Sequence, residues 1–271
     1  MAGVAGFALV FVAGLVTALA TGIGALPFFL FGEISDRWNV ALWGLASGIM
    51  ASASVFGLIT EGVSAAEGVL DLLLVAGGMV AGVLLVVVGH EVVSGAEIDP
   101  RQYEEADVRK LALILGVLTV HSFPEGVAIG VSFADLNLAA TDAVSLFGFS
   151  VPLLAVFMTV AISIHNVPEG VAISIPLRSM EVSEPRMVWW AVFSSLPQPI
   201  GAVVAFYFVR AAREFLPFGF GFAAGAMIYL VLTEFIPEAL DLGEHLPGGG
   251  RQELAAGIVA GVLLMVPLAF V

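Results

Sequence analysis

Charge is scarce in this chain. Only 12% of its 271 residues are Asp, Glu, Lys or Arg, against about 25% in an ordinary soluble domain, which excludes a soluble globular fold. Cysteine is absent, so disulfides, thiolate metal sites and cysteine nucleophiles are excluded together. Metal chemistry, if present, must use imidazole, carboxylate, amide or thioether groups. Basic residues are few: Lys110 is the single lysine among nine cationic side chains, and the net charge is −14. Nucleic acid binding, which needs a basic face, is excluded with them. The acidic, arginine-over-lysine balance predicts a high-salt habitat. No G-x-x-x-x-G-K-[ST] run is present, which excludes a P-loop ATPase motor.

What the chain does contain is apolar length. Hydrophobic residues make up 60% of it and the mean hydropathy is +1.07. A backbone in lipid must be helical or a closed barrel. The apolar runs here are long and do not alternate, so helices are predicted. Met1 to Gly32 carries no charged side chain. That does not fit the basic start of a cleaved signal peptide and predicts a retained first membrane helix.

The fold expected is an all-α polytopic membrane protein, one transporter domain over residues 1–271. Eight runs are long enough to cross a bilayer: about 5–31, 40–60, 70–90, 109–132, 145–175, 187–209, 215–237 and 254–271. The fifth is too long for one perpendicular helix and predicts a tilted or loop-like start. The longest polar stretch, 91–108, reads as a solvated loop. Arginine and lysine concentrate after the odd-numbered helices, at Arg37, Arg101, Arg109, Lys110, Arg178, Arg186 and Arg251, with Arg210 and Arg213 on the other side. The positive-inside rule then puts the odd-numbered loops in the cytoplasm and both termini outside. A 3+2+3 plan with an inverted repeat around helices 4 and 5 is expected.

Ionisable groups inside a bilayer are costly and point to function. Helix 4 carries His121 and Glu125 in HSFPEG, and helix 5 carries His165 and Glu169 in HNVPEG. Each pair is four residues apart, hence on one helix face. Two facing helices could present two imidazoles and two carboxylates to one point, a nitrogen and oxygen shell suited to Zn²⁺ and its first-row neighbours. Pro124 and Pro168 each free the carbonyl four residues earlier, and Gly126 and Gly170 allow another backbone to come close. A structural ion-pair network, or a proton relay without metal, is the competing reading.

These paired motifs resemble those of the ZIP (Zrt/Irt-like) family of metal-ion transporters, and GAMIYLVLTEFIPEA, from Gly225 to Ala239, looks like the seventh helix of its prokaryotic GufA-like branch. The resemblance spans the whole chain. It implies uptake of a divalent metal ion across the cytoplasmic membrane of a prokaryote, with zinc first and iron, manganese, cobalt and cadmium also open. It implies a first site of His121, Glu125, His165 and Glu169. A second would use Ser122, Asn166, Glu169 and Gln198, with Glu169 as bridge, and Met50 would offer a thioether. No resident cofactor is implied; the metal is cargo, with Cd²⁺ a surrogate, the bilayer is the surrounding partner, and a homodimer is compatible. Two departures stand out. Ser122 replaces the motif asparagine and Gln198 replaces a frequent glutamate, which predicts a weak or absent second metal. The family's histidine-rich loop is acidic here. Glu234 and Glu238 could line an exit path, while His90 with Glu91, and His245 with Glu244, read as surface residues. A cation channel or proton pathway is the alternative; a metallohydrolase fits poorly, because H-E-x-x-H is missing.

Overall fold

In a computed structural model of the chain, residues 3–31, 34–95, 121–137, 143–179 and 181–269 are described. Most of them are helical. The first helix, α1 (Val4–Ile23), ends earlier than the apolar run predicts, because Gly22 and Gly24 open a series of tight turns before the short α2 (Phe28–Phe31). A continuous span, Asp36–Ser64, is built from α3 (Asp36–Ser52), a π-helical turn (Ala53–Ile59) and α4 (Thr60–Ser64). Next come α5 (Val69–Gly95) and the helix at 121–132, here α6. The predicted beginning of that helix, 109–120, and most of the predicted loop lie outside the described residues.

The run predicted as helix 145–175 divides in two. Its first part is a hairpin, β1 (Ala143–Leu146) paired antiparallel with β2 (Phe149–Pro152), so the chain is not purely helical. Phe147 and Gly148 both have positive φ, 51° and 81°. Two such residues make the tight turn whose twist suits a hairpin. Then α7 (Leu153–Ser179) carries the second histidine motif.

One further span, Glu184–Ala211, is broken at Ser195 and Leu196 into α8 (Glu184–Ser194) and α9 (Pro197–Ala211). Pro197 fits the start of α9, where its missing N–H costs nothing. The last span, Arg213–Leu242, is a 3-10 turn (Arg213–Phe215) leading into α10 (Leu216–Leu230), a second π-helical turn (Val231–Phe235) and α11 (Ile236–Leu242), and the helix α12 (Arg251–Ala269) follows. Among the described residues, six spans are long and apolar enough to cross a membrane. The protein is a helical polytopic membrane protein.

Small residues let the helices close on one another. In α5 and α10 the pairs Gly78/Gly82 and Gly221/Gly225 face each other; a Cβ on Gly82 or on Gly221 would stand 2.1 Å from a carbonyl oxygen of the opposite helix. In α3 and α12 the pairs Gly44/Gly48 and Gly257/Gly261 do the same. Lipid offers no hydrophobic drive between helices, so such close van der Waals approach is what holds them. The polar ends are pinned separately. Arg210 donates to the carbonyls of Ala134 and Leu136 beyond α6, and Arg213 pairs with Asp135. At the other end Arg37 of α3 pairs with Glu253 of α12.

Candidate metal centre

The two histidine motifs occupy α6 and α7, and their glycines set where those helices sit. A Cβ on Gly126 would stand 2.2 Å from the Gln198 carbonyl oxygen of α9. A Cβ on Gly170 would stand 1.8 Å from the Thr21 carbonyl oxygen of α1. So each motif docks its helix, through its glycine, against a different partner. Pro168 lies inside α7 and leaves the Ile164 carbonyl without its helical donor.

Glu125, His165 and Glu169 are brought together in the interior; one ligand atom from each lies within 4.8 Å of the others. All three are buried, the two glutamates with no exposed surface. His165 Nε2 is 3.1 Å from Glu125 Oε1. Glu169 differs: neither of its carboxylate oxygens has a hydrogen-bond partner among the described residues. A buried carboxylate without donors is expensive unless a cation or a proton meets it. A cation placed among these groups would be met by an imidazole nitrogen and two carboxylates, the donor set expected for Zn²⁺ and its neighbours.

The residues expected at a second site form a polar net beside this cluster. Gln198 Nε2 donates to Glu125 Oε2 at 2.5 Å. Its carbonyl oxygen accepts from Asn166 Nδ2 at 3.1 Å and lies 2.6 Å from the Thr17 hydroxyl. Asn166 Nδ2 also donates to the Thr17 carbonyl at 2.7 Å. The net ties α1, α6, α7 and α9 together at one depth. The Thr21 and Ser195 hydroxyls, 2.8 Å apart, add a further link between α1 and the α8–α9 break. Ser122 Oγ and Asn166 Oδ1, both buried, have no partner among the described residues. Met50 is fully buried in the apolar core with Met158 and Ile162 of α7.

His121 belongs elsewhere. Its Nε2 is 3.0 Å from His90 Nε2 of α5 and 3.0 Å from Glu234 Oε2. His90 Nε2 is 2.7 Å from Glu234 Oε1. The single four-ligand shell expected from sequence is therefore two three-residue clusters, with Glu125 and His121 of one motif serving different ones. The reason is local: α6 faces α7 at Glu125, but at His121 it faces α5 and the π-turn of Val231–Phe235. That turn carries Glu234, and its extra residue changes which side chains face inward.

His90, expected at the surface, is half-buried with its imidazole against His121. The signal was available: His90 ends an uninterrupted apolar stretch, Val83 to Gly89, and an ionisable group at the end of such a run is a candidate in its own right. His245 is exposed as expected and lies 2.8 Å from Asp36. Glu238 is on α11, one turn beyond Glu234.

At the opposite end of the bundle a cavity of about 600 Å³ opens between α4, α5, α6, α7 and α10. Its wall includes Glu61, Glu67, Asp71, Asp135 and Glu214, with Arg213 the one cation among its lining residues.

The chain matches the family model described as ZIP Zinc transporter over residues 87–269. It is 31% identical over 264 residues to the zinc transporter GufA of Myxococcus xanthus, covering 95% of this chain and 96% of that one. It is 34% identical over 291 residues to the zinc transporter ZIPB of Bordetella bronchiseptica, covering 97% and 88%. A longer relative from Arabidopsis thaliana, also named for zinc transport, is 40% identical over 226 residues; these cover 83% of this chain, and the match spans 33% of that protein. Apolar spans, twin buried motifs, the family model and two relatives matched over most of their length agree, and the chain belongs to the ZIP family of membrane transporters.

Proposed function

We propose that this protein carries a divalent transition-metal ion, zinc first, inward across the cytoplasmic membrane of a prokaryote. The observation that carries this reading is Glu169: a buried carboxylate with both oxygens unpartnered among the described residues, beside Glu125 and His165. The cargo would be held there by Glu125, His165 and Glu169 at mid-membrane. The relatives named for zinc support the choice of ion; mixed nitrogen and oxygen donors also suit Fe²⁺, Mn²⁺, Co²⁺ and Cd²⁺.

Eight crossings in a 3+2+3 inverted repeat, both termini outside, are part of the proposal. Paired features support it. A π-turn interrupts both Asp36–Ser64 and the α10–α11 span. The α3–α12 and α5–α10 contacts both use glycine pairs four apart, and Gly126 and Gly170 dock on α9 and α1 in corresponding ways. In this orientation the acidic cavity opens outward and concentrates cations at the entrance. The ion sheds water, reaches Glu169, then passes to His121, His90 and Glu234 toward the cytoplasmic side. His165 Nε2 meets Glu125 through a hydrogen; with an ion between them, that nitrogen offers its lone pair instead.

Reconstituted vesicles test the reading. Purified protein should carry Zn²⁺ or Cd²⁺ to a trapped metal-sensitive dye, and the His165→Ala and Glu169→Ala variants should not. Equal flux through the wild type and both variants would overturn it.

A further inference from the structure

We infer that the side-chain amide of Gln198 stands in for a second cation, limits the buried centre to one divalent ion, and orients Glu125 toward it. This rests on the buried site proposed above.

The amide is held from both sides. Its oxygen accepts from Asn166 and lies within reach of the Thr17 hydroxyl, so its NH₂ is the group that faces Glu125 Oε2. Reversing the amide would set its oxygen against a carboxylate and its NH₂ against the Asn166 NH₂. An amide nitrogen donates hydrogens and has no lone pair for a metal. Where a second cation would attract Glu125, a fixed N–H does so instead, and Glu125 Oε1 is left turned to His165.

Charge leads to the same count. Glu125 and Glu169 are the two buried carboxylates here, and one divalent ion neutralises them. Ser122, Asn166 and Gln198 contribute no charge. A second divalent ion would leave two positive charges uncompensated in a low-dielectric interior, which disfavours unpaired charge. A carboxylate at position 198 would remove one of those charges and supply a ligand in place of the N–H.

The test is an equilibrium count of bound Cd²⁺ on the full-length protein in detergent. It is run in a His90→Ala/Glu234→Ala background, so that the second cluster does not contribute. Here Gln198 binds one equivalent and Gln198→Glu binds two. Gln198→Ala binds one, about tenfold more weakly, because Glu125 loses its oriented donor. Two tight equivalents with Gln198 in place overturn the inference, whether or not the glutamate variant folds. One equivalent in a folded Gln198→Glu variant also overturns it. His165→Ala in the same background separates the two readings: undiminished binding there rejects the buried site itself, and its loss leaves the count at Gln198 as the question.

Discussion

Glu125, His165 and Glu169 on one side, and His90, His121 and Glu234 on the other, are two clusters of similar composition in different surroundings. The first is sealed, and its residues come from α6 and α7, helices locked to α1 and α9 by the Thr17–Asn166–Gln198 net. The second is drawn from α5, α6 and the π-turn before α11, with His90 and Glu234 side chains 28% and 21% exposed. Selective binding needs a dry, fixed shell, because groups held in place lose little freedom when the ion arrives. Release needs water within reach. On the proposed path, a sealed cluster followed by a half-open one would supply these requirements in order. It also divides the motif HSFPEG between the two stages, through Glu125 and His121.

The comparison breaks first at the sealed cluster. His165→Ala and Glu169→Ala should reduce Zn²⁺ flux to the level of empty vesicles, measured with a trapped dye. A large effect should also follow from Gly170→Ala. Its methyl would meet the Thr21 carbonyl at 1.8 Å, so α1 and α7 must separate, and a loss of about 2–4 kcal/mol is expected. A lowered midpoint in a thermal-shift assay, with Gly77→Ala unchanged as the control because its site is open, checks this. An intermediate effect is expected at the half-open cluster. Glu234→Gln or His90→Ala should slow flux by about tenfold while the buried cluster still binds Cd²⁺; loss of that binding would merge the clusters into one functional unit.

Acid should act on both clusters in the same direction. A protonated imidazole has no lone pair for a metal, so uptake should fall as the pH is taken from neutral into the acid range. Flux that rises steadily across that range would contradict the reading. The smallest effect belongs to the surface. With a net charge of −14, self-repulsion should ease as salt is added; a modest rise in thermal midpoint across a salt series is the expected readout.

Much of this was legible in the sequence for physical reasons. Apolar length marks a membrane crossing whatever its neighbours are, so the helical spans stood out. The His-x-x-Pro-Glu spacing fixes a helix face, which made Glu125, His165 and Glu169 readable as a group. What escaped depended on through-space contact. His121 shares a helix face with Glu125, yet which helix lies opposite each is a matter of packing. His90 looked like a surface residue because the polar stretch begins just after it. The hairpin at 143–152 hid in an apolar run, since Val144, Leu146, Phe149 and Val151 suit a strand as well as a membrane helix. At Gln198 the departure from glutamate was visible, but the Thr17 and Asn166 contacts that hold the amide were not.

The two π-turns carry a consequence for the history of the chain. A π-turn is a helix that has taken in one extra residue without breaking. Removing one residue from 53–59 or from 231–235 should return each helix to regular winding and leave the segments on either side in register, because the wide turn is what absorbs the extra residue; only the side chains of the turn itself change direction. Glu234 lies inside the second of these turns. A single-codon deletion there would change which side chains face the ion without shortening any loop. Where relatives of this protein are aligned, one-residue gaps should therefore collect in these two windows, and chains with and without such a gap should differ in what they do with Glu234.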